Sequence, residues 1–283
     1  MKPPPFDWAA PTSVDDAVSL LADGEGRVIA GGQSLLQDLR WRRLAPARLV
    51  DVAGIDELAG VTADDEVVRI GARVRHRDVE LASPVPGPLG ALMTEVAGWI
   101  AHPPVRTRGT VVGTLAWGHH AAEWCALAAG LGGRVELASA GGDRTLGVDE
   151  FLLGPNRTAC RPDELVRALV LPRLPAGTRV GVAESRRTHA SYAHVAVVAA
   201  VLPDGSCRLG LAGAGPTARR AHAGEETLRL TGDPSRAGAA AAADDAAPLD
   251  HPHAAPDYTR HVVDVLVRRV LTGLLDASGE EAE

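Results

Sequence analysis

Two stretches of the chain combine residue types suited to holding a phosphate-bearing ligand. The first is Val28-Ile29-Ala30-Gly31-Gly32-Gln33-Ser34-Leu35-Leu36, an apolar run that ends in a double glycine. A polar pair then opens what reads as a short helix. Glycine reaches positive φ without steric cost and lets another group approach the backbone closely. A helix start beyond it presents unpaired N–H groups, which suit a phosphate. A tight strand-to-helix turn with no ligand explains the same residues equally well, because short glycine motifs misfire often. The second stretch supplies the other half of a cradle. Thr110 and Gly113-Thr114 lie in a segment that reads as strand and loop, and Gly118-His119-His120-Ala121-Ala122-Glu123-Trp124 leads on into a helix. A pyrophosphate needs several N–H groups converging from short loops, with hydroxyls such as those of Ser34 and Thr110 beside them. A carboxylate a few residues later, Glu123, could accept from ribose hydroxyls.

Other reactive residues have plainer readings. His119-His120 resembles a metal pair, but adjacent side chains point apart and no third ligand is evident, so no metal is expected. His119 is also a candidate acid/base group, since an unperturbed imidazole titrates near neutral pH. Cys125, Cys160 and Cys207 are far apart and odd in number, which reads as reduced core thiols of a cytoplasmic protein. The densest basic cluster, Arg40, Arg42, Arg43 and Arg48, reads as a solvated face. With a net charge of −7 over 283 residues, nucleic acid is not an expected partner. The start lacks an apolar signal region and no apolar run is long enough to span a bilayer. Trp99 and Trp124 read as core, whereas Trp117 sits beside the presumed dinucleotide loop. Arg186-Arg187 fits a partner surface or a solvated face.

These residues need elements to position them. Ser13, with Asp16 near the N3 position, opens a helix carrying Ala17, Val18, Leu20 and Leu21. Strands at Arg27–Ala30 and Arg48–Val52 then flank a short helix, a βαβ-like unit. Val67–Ala72 alternates as a strand, and His76–Ala82 and Pro88–Ala101 have helical spacing. Val105–Ala116 is β-branched and glycine-punctuated. Helix returns over Ala121–Leu131, with strands at Arg134–Ala138 and Glu164–Leu171. Pro172–Gly177 is the best candidate linker. Beyond it come antiparallel strands at Val180–Glu184, Val195–Leu202 and Ser206–Ala212, the last two joined by a Pro203-Asp204-Gly205 turn. Helices are expected at Ala218–Leu230, Ser235–Ala246 and Asp257–Asp276. The fold class is α+β. Residues 1–175 form a first domain with lobes at about 1–57 and 58–175, residues 178–277 form a smaller domain, and 278–283 are a loose tail.

Three ordered motifs with correct spacing carry a resemblance that runs nearly end to end. They are Phe6…Ala10-Pro11-Thr12-Ser13 with Ala30-Gly31-Gly32-Gln33-Ser34-Leu35-Leu36; Val105-Arg106-Thr107-Arg108-Gly109-Thr110 through Glu123; and Arg187…His189-Ser191-Tyr192-Ala193 with Gly213-Ala214-Gly215-Pro216-Thr217-Ala218-Arg219-Arg220-Ala221. With them the chain resembles the FAD-binding (medium) subunit of molybdenum hydroxylases, the carbon monoxide dehydrogenase and xanthine dehydrogenase group. The resemblance implies a two-lobed FAD-binding domain of the PCMH type followed by a small α+β domain. It implies that Ile29, Ala30, Gly31, Gly32, Gln33, Ser34 and Leu35 hold pyrophosphate and that Thr110 and Gly113 complete the cradle. Thr114 would lie beside it, Glu123 near the ribose, and Tyr192 against the isoalloxazine. Iron–sulfur and molybdopterin subunits are the implied partners, passing electrons to the flavin and on to an external acceptor; a homo-oligomer is open as well.

The chain departs from the family pattern around one place. Val112 replaces the first glycine of Thr-Ile-Gly-Gly, and Trp117-Gly118-His119-His120 replaces His-Ala-Asp-Pro. A β-branched residue is costly where φ must be positive. Two alternatives therefore stand beside the flavoprotein reading. One is a standalone tailoring enzyme that uses Val112, Trp117, His119 and His120 directly; the other is a flavin-free scaffold that binds a ligand or partner.

Overall fold

Ser13 starts the first helix as its spacing predicts. Its side chain accepts from the Asp16 N–H at 3.1 Å, and Val14, Ala17, Val18 and Leu21 of α1 (Val14–Leu21) turn inward. In this computed structural model, which describes residues 1–188, 191–250 and 254–280, with backbone alone over 277–280, α1 joins β1 (Asp7–Ala9) to β2 (Gly26–Ile29). Helix α2 (Leu35–Arg40) joins β2 to β3 (Arg48–Asp51). The three strands are parallel in the order β1-β3-β2. β1 was not foreseen, because three residues after a proline run carry no readable period.

A five-stranded antiparallel sheet follows. Its first strands are β4 (Val61–Ala63) and β5 (Val67–Gly71). Then comes a helical excursion of α3 (His76–Leu81), α4 (Gly87–Trp99), α5 (Pro103–Arg106), α6 (Val111–Trp117) and α7 (Glu123–Gly130). The chain re-enters the sheet through β6 (Arg134–Ala138) and β7 (Arg144–Gly147), and a short α8 (Val148–Phe151) leads to the hairpin β8 (Leu152–Gly154) and β9 (Arg157–Thr158). The central strand β10 (Leu165–Pro172) completes the order β4-β5-β10-β6-β7.

The third sheet consists of β11 (Arg179–Ser185), β12 (Val195–Val201), β13 (Cys207–Ala212) and β14 (Arg219–Arg220), antiparallel in that order. All seven residues of β12 are buried, since helices cover both faces. Ala196, Val198 and Ala200 join Trp124 and Leu127 in the large core; Val195, Val197, Ala199 and Val201 join Val263, Leu266 and Val267 in a second. The helices on that second face are α9 (His222–Thr231), α10 (Pro234–Ala240), which runs on into a wider turn at Ala241–Asp245, and α11 (Pro256–Glu280).

Three expectations need correction. Val105–Ala116 is not strand and loop but two helices, α5 and α6. Thr110 caps α6, its Oγ1 accepting from the Gly113 N–H at 3.1 Å, and the β-branched Val111 and Val112 face the core with Leu115. Burial outweighs β-propensity here. Second, the helix expected from Ala218 begins at His222. Arg219 and Arg220 pair with Leu211 and Gly210 as an edge strand, and Arg220 is anchored to Glu225 at 2.7 Å. Third, α11 passes Asp276 and runs to Glu280; residues 281–283 and His189 of the third motif lie outside the described residues.

Val112 is therefore helical and 2% exposed. No positive φ is asked of it. Replacing it by the glycine of the family pattern removes a buried side chain and lowers helix propensity. We expect Val112→Gly to lower unfolding free energy by about 2–4 kcal/mol, measured by urea titration; an unchanged midpoint would show that the site tolerates glycine as readily as the family does.

Candidate functional site

Strand β2 delivers Ala30 and the glycine pair to one side of a cleft. A Cβ on Gly31 would lie 2.2 Å from the Arg108 carbonyl oxygen, so only glycine lets the two stretches touch. Gly32 turns at φ +72°, and Gln33 closes the bend by donating its Nε2 to the Gly31 carbonyl at 3.2 Å. Helix α2 then starts after Ser34, which makes no side-chain cap bond. Ile29 and Leu35 pack with Leu39 and Leu49 in a small core. They anchor the loop by their side chains and leave contact to the backbone between them.

The opposite side is pinned more heavily. The His76 N–H donates to the Gly109 carbonyl at 3.1 Å, and Arg75 bridges to Thr110 in antiparallel fashion. Arg106 grips Glu80 through Nε and Nη2, both at 2.9 Å, and donates to the Ile100 carbonyl at 2.7 Å. His76 is buried and accepts from Trp124 Nε1 at 3.0 Å through Nδ1. Burial pushes its pKa down to about 4, helped by the Arg106 charge, so the ring is a neutral acceptor at neutral pH. Thr114 Oγ1 donates back to the Thr110 carbonyl at 3.3 Å.

Between the two sides lies a cleft of about 350 Å³, lined among others by Ala30, Arg73, Arg75, Asp78, Arg108 and Thr110. Backbone approach at Gly31, a helix start without a side-chain cap, a threonine-capped helix start opposite and guanidinium groups between them suit a diphosphate. The donor groups on the two loops are of the kind that FAD requires. Of the expected contacts, only Ala30 and Thr110 line the cleft itself; Ile29, Gly31, Gly32, Gln33, Ser34, Leu35, Gly113, Thr114, His119, Glu123 and Tyr192 are outside its lining.

Beyond α6, which Gly118 ends in a left-handed turn, three rings form a column. His119 stacks on Tyr192 at 3.8 Å between centroids with 10° between planes, and His120 stacks on His119 at 4.7 Å. Tyr192 remains 47% exposed, so a face or edge of its ring is open to a ligand. The Ala121 N–H donates to His119 Nδ1 at 3.2 Å, which places the proton of the neutral ring on Nε2. Burial, with His120 beside it, pushes the His119 pKa down to about 4. The neutral-range titration expected from its residue type is lost. Trp117 is half-buried at the end of α6.

Glu123 opens α7 and is only 4% exposed. Burial pushes its pKa up to about 7 despite the Arg186 charge. Its carboxyl is enclosed by protein in this arrangement rather than open to the cleft. Nearby is a residue that sequence reasoning missed, Glu184 of β11, whose side chain is fully buried and lies 3.8 Å from Arg186. The signal was present in the strand: a carboxylate on the face that Val180 and Val182 turn toward the large core. Arg186 itself is no solvated charge. Its Nη1 donates to the Trp99 carbonyl at 2.8 Å, and its guanidinium sits 4.6 Å over the Trp99 ring. Among the described residues no group of three or more His, Cys, Asp or Glu is arranged to hold a metal, and no helix is long and apolar enough to cross a membrane.

Comparison with known proteins agrees with this geometry. Residues 4–174 match the family described as the FAD binding domain in molybdopterin dehydrogenase. The chain is 34% identical to the 6-hydroxypseudooxynicotine dehydrogenase complex subunit alpha of Paenarthrobacter nicotinovorans, over 97% of this chain and 96% of that one. It is 31% identical to the carbon monoxide dehydrogenase medium chain of Hydrogenophaga pseudoflava, over 96% and 97%. A solved structure of carbon monoxide dehydrogenase from the latter organism superimposes with a TM-score of 0.90 at 30% identity, covering 98% of this chain and 99% of that one. A double-glycine bend meeting a threonine-capped helix, in a chain alike over nearly its whole length, leaves one assignment: this protein belongs to the FAD-binding medium subunits of the molybdenum hydroxylases and is the flavoprotein component of an oxidoreductase.

Proposed function

We propose that this subunit receives electrons from an iron–sulfur subunit, itself fed by a molybdopterin subunit, and passes them to an external acceptor. The observation that supports this most directly is the near-full-length likeness to medium chains combined with a cradle whose close approach only glycine permits. FAD, when bound, supplies the exchange between one-electron and two-electron chemistry, and the protein positions it and sets its surroundings. The substrate would be oxidised on another subunit, so this chain's contribution to specificity lies in its docking and its flavin.

Each residue then has a task. Gly31, Gly32, Gln33 and Ser34 would present backbone and hydroxyl groups to the pyrophosphate, on the frame that Ile29, Ala30 and Leu35 hold. Thr110, Gly113 and Thr114 would hold the helix start opposite. Tyr192 would shield the isoalloxazine with its open surface. His119 fixes the plane of Tyr192 by stacking, and its Nε2–H can donate a hydrogen bond; at neutral pH it carries no acid proton to give. Glu123 acts from beneath, at the start of α7, rather than as a contact in the open cleft. A split into a FAD-binding part, residues 1–175, and a smaller part, residues 178–277, is consistent with where the third sheet begins. A cytoplasmic location agrees with three cysteines that stand as free thiols.

The primary test is the visible spectrum of the purified chain with identification of the extracted cofactor, followed by capture of partners from cells. Flavin bands, FAD in the extract and co-purifying iron and molybdenum are expected. A colourless protein that takes up no added FAD would sink the proposal. Gly31→Val forces a side chain into the Arg108 carbonyl; FAD affinity should fall at least about 100-fold, equivalent to roughly 2.7 kcal/mol, by fluorescence titration. Tyr192→Ala should leave FAD bound while raising its fluorescence severalfold, and His119→Ala should show a smaller rise of the same kind. If neither variant alters flavin fluorescence, the ring column does not face the cofactor.

A further inference from the structure

We propose that Glu184 is a buried proton-binding site, governed by Glu123 and Arg186, at the seam where the third sheet meets α7. The inference concerns the protein alone and stands whether or not the flavin reading does. Strand alternation sets the direction. Ala183 packs with the second core under α11, whereas Val180 and Val182 pack with the large core, so Glu184 turns toward the same side as they do. There its side chain has no exposed surface, and neither carboxyl oxygen has a hydrogen-bond partner among the described residues.

Arg186 is the nearest cation, yet it does not satisfy the carboxyl. Its Nε stays 3.8 Å away, while its Nη1 donates to the Trp99 carbonyl and its guanidinium lies over the Trp99 ring. A carboxylate that is out of water and lacks donors is strongly disfavoured, and the neutral acid is not. Among the described residues, Arg186 is the one cation that acts on Glu184. From α7 come Glu123, whose charge opposes ionisation of Glu184, and Cys125, whose thiol burial keeps neutral. From α4 comes Glu95, which accepts from the Val182 N–H at 3.0 Å. β12 places Ala196 opposite Glu184, and His194, just before that strand, donates its backbone N–H to the Ser185 carbonyl. The turn before α7 contributes His119 and His120, and the segment before β12 contributes Tyr192, stacked on His119. One guanidinium thus faces two enclosed carboxyls.

This enclosure pushes the Glu184 pKa up to about 8, burial first and the Glu123 charge second, with Arg186 opposing. The folded chain then keeps a proton that the unfolded chain releases near the ordinary value of 4.5. The stabilisation is complete below that value and is lost as pH rises through about 8. Between those limits each retained proton makes the unfolding constant rise about tenfold per pH unit. Above the ordinary histidine range the opposing contributions of His76 and His119 have ended, so the upper part of the window isolates the carboxyls.

The experiment is infrared titration of the full-length chain, paired with urea unfolding at several pH values. The carbonyl band of a neutral carboxylic acid should be present at neutral pH and vanish in alkali, and Glu184→Gln should lose the part that titrates at about 8, leaving the part that Glu123 gives at about 7. That variant should also unfold with a pH slope smaller by one proton. Glu123→Gln, which removes the opposing charge, should move the loss of the band to lower pH. Should Glu184→Gln not fold, the wild-type band and its displacement in Glu123→Gln still decide. Absence of a neutral-acid band at neutral pH, or one that Glu184→Gln leaves untouched, would overturn the proposal.

Discussion

The approach of Gly31 to the Arg108 carbonyl is the constraint on which the rest depends. It joins a loop of the parallel sheet to a loop of the helical excursion, two segments far apart in the chain, at a spacing that any Cβ would forbid. Everything that holds the second loop in place serves that contact. Arg106 is tied to Glu80 and to the Ile100 carbonyl, His76 donates its N–H to Gly109, and Trp124 donates to His76. The chain through His76 also links the cleft to α7, the helix that lies against the third sheet. A neutral histidine serves this link better than a charged one, because Nδ1 must stay an acceptor for Trp124.

The interior is built with few aromatic residues, and that shapes how the parts meet. Alanine and valine dominate β12, and they let helices lie close on both of its faces. Small side chains leave little room to accommodate a misplaced polar group, so the few that are buried must be paired or neutral. Arg144 with Glu164 and Arg220 with Glu225 follow the first course, each held by charged hydrogen bonds. Glu184 follows the second. The place where α4 and α7 meet the third sheet therefore differs from the paired sites of the core: its stability is tied to a proton as well as to packing.

Much of this was legible from residue pattern. Ser13 and Asp16 announced α1, the alternation at Val67–Gly71 announced β5, and the stripe of Val262, Val263, Leu266, Val270 and Leu271 announced α11. Local rules suffice where a period is long or a cap is explicit. They failed at Val111 and Val112, whose β-branched side chains favour a strand in isolation but are taken up by a helix that Thr110 caps and the core covers. They failed also at Arg219 and Arg220, where pairing with β13 displaced the first turn of a helix. Edge strands as short as β1 and β14 are made by their neighbours, and no window of sequence contains those neighbours.

What the sequence by itself determined was the family, the glycine bend and its threonine-bearing counterpart, because these depend on residue type at fixed spacing. Glycine at position 31 is required by excluded volume, and that requirement is written in the residue itself. Only the tertiary structure decided what the departures mean. Val112 became a core residue, His119 became a neutral ring stacked on Tyr192, Glu123 turned inward, and Glu184 emerged as an enclosed carboxyl. The physical reason is the same for all four. Burial and the charges nearby set a side chain's protonation and role, and both are properties of the surroundings that distant parts of the chain assemble.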